Sequence, residues 1–127
     1  MGAGPVTRPT ILVVDDHSGF RATARRLLER DGWSVVGEAE DGRDALAATA
    51  ALEPDVVLLD IGLPDIDGFD VAERIAQIGD APSIVLISSR DQEAYHDRVQ
   101  RSPAAGFIAK DKLDGMALRL LLAGARP

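Results

Sequence analysis

Four apolar runs end on polar residues that could do chemistry together. Asp15-Asp16 follows the run at 11–14, Asp60 the run at 56–59, Ser88-Ser89 the run at 84–87, and Lys110 the weaker run at 106–109. If these runs are parallel strands of one sheet, their carboxyl ends share the edge where such sheets bind ligands. Asp15, Asp16 and Asp60 then bring three carboxylates to one place, and like charges that close do not all stay ionised without a compensating cation. Lys110 supplies a single positive charge, fewer than the carboxylates call for. An all-oxygen site of this kind fits Mg²⁺ or Mn²⁺, hard cations that take carboxylates, a carbonyl and water. A dry cluster of salt bridges among the same residues is the alternative reading.

The elements that must position these groups alternate along the chain. A fifth apolar run lies at 34–36, which makes five strand candidates. Between them, Phe20, Ala24, Leu27 and Leu28 have helical spacing behind Ser18, a plausible N-cap. Ala45, Leu46, Ala50 and Leu52 predict a second helix ended by Pro54, and Phe69, Val71, Ala72, Ile75 and Ile78 a third that stops near Gly79. A fourth helix at 91–101 has few apolar residues and reads as peripheral, while Leu113, Met116, Ala117, Leu120 and Leu121 predict an apolar stripe on a fifth. Five alternations of strand and helix, with crossovers long enough for parallel pairing, predict a single α/β sandwich with a parallel sheet. Residues 9–123 read as one domain, residues 1–8 as a loose leader and 124–127 as a tail.

Composition narrows the chemistry further. The chain has 127 residues, 46% hydrophobic and 28% charged, which supports one globular core. Its formal net charge of -7 disfavours direct nucleic-acid binding. With no cysteine, thiolate nucleophiles, thiolate zinc sites and iron–sulfur clusters are excluded. No run reaches the length of a membrane span and no signal segment opens the chain, so no membrane partner and a cytoplasmic location are expected. Neither G-x-G-x-x-G nor a Walker-type phosphate loop follows any strand.

Asp15-Asp16, Asp60 followed by Pro64 and Gly68, Ser88, and Lys110 preceded by Phe107 together resemble the receiver (CheY-like) domain of bacterial two-component response regulators. The stretches 14–17 and 36–42 are further similar to receivers that precede LuxR-type helix-turn-helix domains. The resemblance covers about residues 10–122 and implies a flavodoxin-like (βα)5 three-layer sandwich with sheet order 2-1-3-4-5. It implies that Asp60 accepts the phosphoryl group of a sensor histidine kinase or phosphotransfer protein as an acyl phosphate. Asp16, Asp60 and the carbonyl of Gly62 would coordinate Mg²⁺, with Mn²⁺ as a substitute, and Asp15 would act mainly through water. Lys110, the Ser88 hydroxyl and the Ser89 N–H would meet the transferred group.

The resemblance also assigns a switch. Ser88 moves toward the phosphoryl group and the aromatic residue of strand five, here Phe107, turns inward, reshaping the face of helix four, strand five and helix five. That face would meet an output domain or a second copy; it offers Gln92, Tyr95, His96, Arg98 and Arg101 and no apolar dimer seam. Bland readings stand beside these: a strand-end cap for Ser88, a solvated Lys110, a plain core Phe107. His17 reads as a surface or kinase-contact residue rather than a ligand of hard Mg²⁺. Asp65 and Asp67 read as solvent-facing loop carboxylates, and Asp111 stands where many receivers have proline, so a cis peptide is not expected there. Arg90 and Gly62, each two residues past a site residue, occupy positions that influence phosphoryl lifetime in related proteins. Two other functions compete: a pseudo-receiver that binds a partner without phosphorylation, and a small aspartate-nucleophile phosphohydrolase.

Overall fold

The computed structural model describes residues 8–90 and 92–124, apart from the side chain of Gln92. Residues 1–7 of the leader, 125–127 of the tail and Asp91 lie outside the described residues. Along the chain run β1 (Thr10–Val14), α1 (Ser18–Arg30), β2 (Ser34–Ala39), α2 (Gly42–Leu52), β3 (Val56–Asp60), α3 (Gly68–Ala76) and β4 (Ser83–Ser88). A 3₁₀ turn (Gln92–Tyr95) leads into α4 (His96–Arg101), and β5 (Gly106–Ala109) is followed by a second 3₁₀ turn (Lys110–Lys112) and α5 (Gly115–Gly124). The five strands pair in parallel in the order β2-β1-β3-β4-β5.

The strands read as continuous apolar runs because helices cover both faces of the sheet. Alternate residues part into two cores. Leu12, Val14, Val57, Leu59 and Leu86 pack with Ala45 of α2, Phe69, Val71 and Ile75 of α3, and Val99 of α4. Ile11, Val13, Leu58, Val85 and Ile87 pack with Ala24 and Leu28 of α1, Trp33, and Leu118 of α5. The result is the three-layer flavodoxin-like sandwich.

Several boundaries and faces differ from the sequence reading. Ser18 lies inside α1; His17 is the extended residue before it and caps nothing with its side chain. The second helix stops at Leu52 because Glu53, which precedes Pro54, takes a left-handed φ of 48°. Ala50 and Leu52 face outward there, and Thr49 is the buried residue, its hydroxyl donating to Ala45 O at 2.7 Å. The fourth helical segment is split into a 3₁₀ turn and a short α-helix that buries only Val99. On α5 the stripe is rotated: Leu118 is fully buried while Met116 and Leu120 are 59% and 67% exposed. No helix among the described residues is long and apolar enough to cross a membrane.

Candidate functional site

Strand register sets the site before any side chain is considered. Val14 pairs with Leu59, and Asp60 with Ile87, so Asp15 and Asp60 stand in one row at the carboxyl edge. Ser88 pairs with Ala109 one residue further out, and Lys110 follows at the start of the 3₁₀ turn. The adjacent strands β1 and β3 lead into the two acids, and β4 and β5 supply the hydroxyl and the amine.

Asp15 is fully buried. Its Oδ1 accepts from His17 N–H at 2.8 Å, and its Oδ2 lies 2.5 Å from Lys110 Nζ. That contact is ionic: Oδ2 takes no directed hydrogen bond. Lys110 Nζ also reaches Asp60 Oδ2 at 3.5 Å, so one ammonium joins the ends of β1 and β3. Asp60 is buried, and its Oδ1 accepts from Gly62 N–H at 3.3 Å. Burial first, and the Asp15 charge second, push the Asp60 carboxyl above its ordinary range, against the downward pull of Lys110 and the Gly62 N–H.

Asp16 stands at the rim. Its Oδ1 is 3.0 Å from His17 Nδ1, which also lies 3.2 Å from Asp15 Oδ1. His17, with its side chain 71% exposed, therefore leans on the acidic pair from the solvent side. Ser88 is buried, and its Oγ accepts from Arg90 N–H at 3.1 Å, a strand-end turn that leaves the hydroxyl proton free to donate elsewhere. Ser88 makes no hydrogen bond to the carboxylates, and Ser89 is exposed beside it. Gly62 and Arg90 are exposed at the same edge.

The loop from Asp60 to Gly68 is held in ways the sequence reading missed. Asp65 is exposed yet bonded: its Oδ1 accepts from Gly42 N–H at 2.7 Å and Ile66 N–H at 2.8 Å, and its Oδ2 from Arg43 N–H at 3.0 Å. The Gly42 bond leads the effects that hold the Asp65 carboxyl below its ordinary range, and with the Arg43 and Ile66 bonds it overcomes desolvation. Asp67 caps α3, accepting from Phe69 N–H at 2.7 Å, and Arg98 Nη2 approaches its two oxygens at 3.3 and 3.4 Å. Both acids thus fasten the loop that follows Asp60, to α2 and to α3 and α4 respectively. An acid two residues before a helical pattern is the signal that could have marked Asp67. Asp65, which caps a helix 23 residues earlier in the chain, left none.

Arg21 ties α1 to this edge. Its Nη1 donates to Asp15 O at 2.6 Å and its Nε to Glu38 Oε1 at 3.0 Å, while Arg25 Nε holds Glu38 Oε2 at 3.0 Å. Desolvation works to raise the Glu38 carboxyl, and the two guanidiniums overcome it and lower it. Phe107 is buried on β5, with Tyr95 between it and Phe69 at ring-centroid distances of 6.4 and 6.0 Å.

The pocket therefore sets three carboxylates against one lysine, with the Asp60 carboxyl raised by burial first and by the Asp15 charge second. Such an oxygen-donor set fits a hard divalent cation.

Comparison with known proteins agrees with the geometry. The response regulator receiver domain family matches residues 11–120. The response regulator GacA of Pseudomonas viridiflava is 34% identical over 120 residues, 91% of this chain and 56% of that protein. The transcription regulator BvgA of Bordetella pertussis is 34% identical over 100 residues, 79% of this chain and 48% of that one. The chain spans about half the length of the curated relatives it matches. Among solved structures, the signal receiver domain of NarL from Mycobacterium tuberculosis superposes with a TM-score of 0.80 at 36% identity, over 93% of this chain and 96% of that one. The response regulator domain of Thermotoga maritima CheB, 22% identical with a TM-score of 0.80 over 95% of this chain and all of that one, shares the fold. A family match across most of the sequence, relatives above 30% identity and the 2-1-3-4-5 sheet make this chain a member of the response regulator receiver domain family of two-component systems.

Proposed function

We propose that Asp60 accepts a phosphoryl group from the phosphohistidine of a sensor histidine kinase or phosphotransfer protein. The observation that carries this reading is the Lys110 ammonium held between the buried carboxylates of Asp15 and Asp60 at the carboxyl edge of the sheet. An Asp60 oxygen forms the new O–P bond as the N–P bond of the donor breaks, its electron pair leaving with the imidazole. Transfer of this kind needs charge neutralisation and positioning more than a strong base. Lys110 supplies fixed positive charge. The Ser88 hydroxyl and the Ser89 N–H donate to the phosphoryl oxygens once these are present.

Asp16, Asp60 and the carbonyl of Gly62 are the residues that would hold Mg²⁺, or Mn²⁺ in its place, with Asp15 acting mainly through water. When bound, the ion neutralises charge on the transferred group. The excess of three carboxylates over the one Lys110 ammonium, and the Asp60 carboxyl raised by burial and the Asp15 charge, support that assignment.

A phosphoryl group adds roughly -1.5 to -2 charges and three acceptor oxygens at Asp60. Ser88 and Phe107 would relay that change to the face of α4, β5 and α5, the surface for an output domain or a second copy. Tyr95, packed against Phe107, belongs to the same relay.

Incubation with Mg²⁺ and acetyl phosphate, read by intact mass, tests the proposal. One phosphate adduct on the wild type and none on Asp60→Asn is the expected result. An unmodified wild type means a partner-binding pseudo-receiver, and rapid turnover of unrelated phosphomonoesters means a hydrolase. Mg²⁺ titration should show a large loss of affinity in Asp16→Ala.

A further inference from the structure

Lys110 stands just past the end of the sheet, at the start of the second 3₁₀ turn. The β4–β5 ladder ends at the pair Ser88 and Ala109, and beyond it the Lys110 carbonyl accepts one long bond, from Leu113 N–H at 3.4 Å. No proline follows; Asp111 does. The direction of this flexible four-carbon side chain therefore depends on what its ammonium touches. Two of those contacts are Asp15 and Asp60. The third is the ring of Phe20, whose centroid lies 4.8 Å from Nζ.

We propose that Phe20 is a positioning residue for Lys110, an inference that rests on the phosphotransfer reading. An ammonium carries three donors, and carboxylates lie in only part of the space around it. The face of an aromatic ring carries partial negative charge, so it attracts the ammonium where an aliphatic wall would merely exclude water. Phe20 closes that side and keeps Nζ between the two acids. The ring is itself anchored. It sits in the first turn of α1, packs against the core that contains Ile11, Val13 and Ile108, and adjoins Arg21, which bonds the Asp15 carbonyl at 2.6 Å. One short segment, from Asp15 to Arg21, thus presents both an acid and the wall that aims the base at it.

Lys110 and Lys112 are the only lysines of the chain, so lysine-selective ¹³C labelling yields two resolvable side chains. Lys112 is exposed and serves as the internal reference. The ε-proton signals of Lys110 should be displaced from those of Lys112 by the ring current of Phe20. The displacement should vanish in Phe20→Leu and persist in Phe20→Tyr. Over the same set, the rate of Asp60 phosphorylation by acetyl phosphate with Mg²⁺ should fall roughly three- to tenfold in Phe20→Leu and recover in Phe20→Tyr. Lys110 signals that match those of Lys112 and ignore Phe20→Leu would overturn the contact. A clear displacement with an unchanged rate in Phe20→Leu would overturn the positioning role. A wild type that takes no phosphoryl group sinks the phosphotransfer reading, while the lysine spectra still decide whether Phe20 holds Lys110.

Discussion

Gly68→Ala should damage this protein out of proportion to the one methyl group it adds. A Cβ at Gly68 would lie 2.5 Å from Asp60 O, 2.6 Å from Ile61 Cα and 3.0 Å from Ile61 O. All three are backbone atoms at the end of β3, so no side-chain rotation relieves the clash. The Gly68 N–H also donates to Ile61 O at 3.0 Å, which pins the helix start against that strand end. Overpacking of this kind costs about 1–3 kcal/mol, and the reduced freedom of the unfolded chain returns about 0.4–1 kcal/mol. The net loss, about 1–2 kcal/mol, lowers the thermal midpoint by roughly 3–10 °C in a chain of this size. Gly62→Ala is the matched control. Its Cβ would meet nothing within 4 Å and its backbone is outside the left-handed region, so stability should hold or rise slightly. The Gly62 carbonyl survives the change, and Mg²⁺ affinity should survive with it. Calorimetry on both variants, with the acetyl phosphate rate beside it, separates them: Gly68→Ala displaces the Asp60 backbone, and a misplacement of about 1 Å can cost about a hundredfold in rate. Equal midpoints for the two variants, or a higher one for Gly68→Ala, would refute the close approach of α3 to the end of β3.

Two further predictions concern packing and protonation. Leu118→Ala should cost about 2–5 kcal/mol in chemical denaturation, while Leu120→Ala should stay within about 0.5 kcal/mol, because only the first leaves a cavity. Between the ordinary carboxyl value of 3.8 and the raised value of Asp60, the folded protein keeps a proton the unfolded chain has lost. Stability at that position therefore falls as pH rises through the window, and without divalent cation Asp60→Asn should melt higher than the wild type at neutral pH. Asp65 has the opposite sign: its lowered carboxyl contributes stability that is complete above 3.8 and lost as pH falls through the lowered value, so Asp65→Asn should flatten the acid limb of the midpoint curve.

What the sequence made legible was the edge of the sheet. Each apolar run stops where its strand leaves the core, so a polar residue at that point marks both the strand end and the pocket. Asp15 and Asp60 share a row for this reason, and Lys110 comes to them from the next edge. Helix rotation was not legible in α5. Apolar residues at 116–118 and 120–122 offer two faces, and periodicity alone does not choose between them. The choice is made by tertiary bonds: Asp31 accepts from Gly115 N–H at 2.9 Å, Trp33 donates to Gly115 O at 3.2 Å, and Arg119 stacks on Trp33 at 5.4 Å, turning Leu118 inward. Asp65 was unreadable for the same kind of reason, since a loop carboxylate that caps a distant helix has no local signature. Ser88 and Ser89 were read as hydrogen-bond donors to a transferred phosphoryl group; Ser88 Oγ accepts from Arg90 N–H, which leaves its own proton available for that role.

The same tertiary bonds make the proposed output face asymmetric. α5 is fixed to the end of α1 by Asp31, Trp33 and Arg119, whose guanidinium also donates to Asp31 O at 3.0 Å. Among the described residues of α4 only Val99 is buried. The helix is held by Arg98, which lies 4.1 Å over the Phe69 ring and pairs with Asp67, and by Tyr95 between Phe69 and Phe107. These partners stand at the start of α3 and on β5, the two elements adjoining Asp60 and Lys110. Half-exposed ion pairs and tilted ring contacts are worth about 1 kcal/mol or less each, against several for a buried leucine such as Leu118. On the proposed function, a change in charge at Asp60 would meet least resistance through the Asp67 cap and the Phe69–Tyr95–Phe107 row, and α4 would move at lower cost than α5.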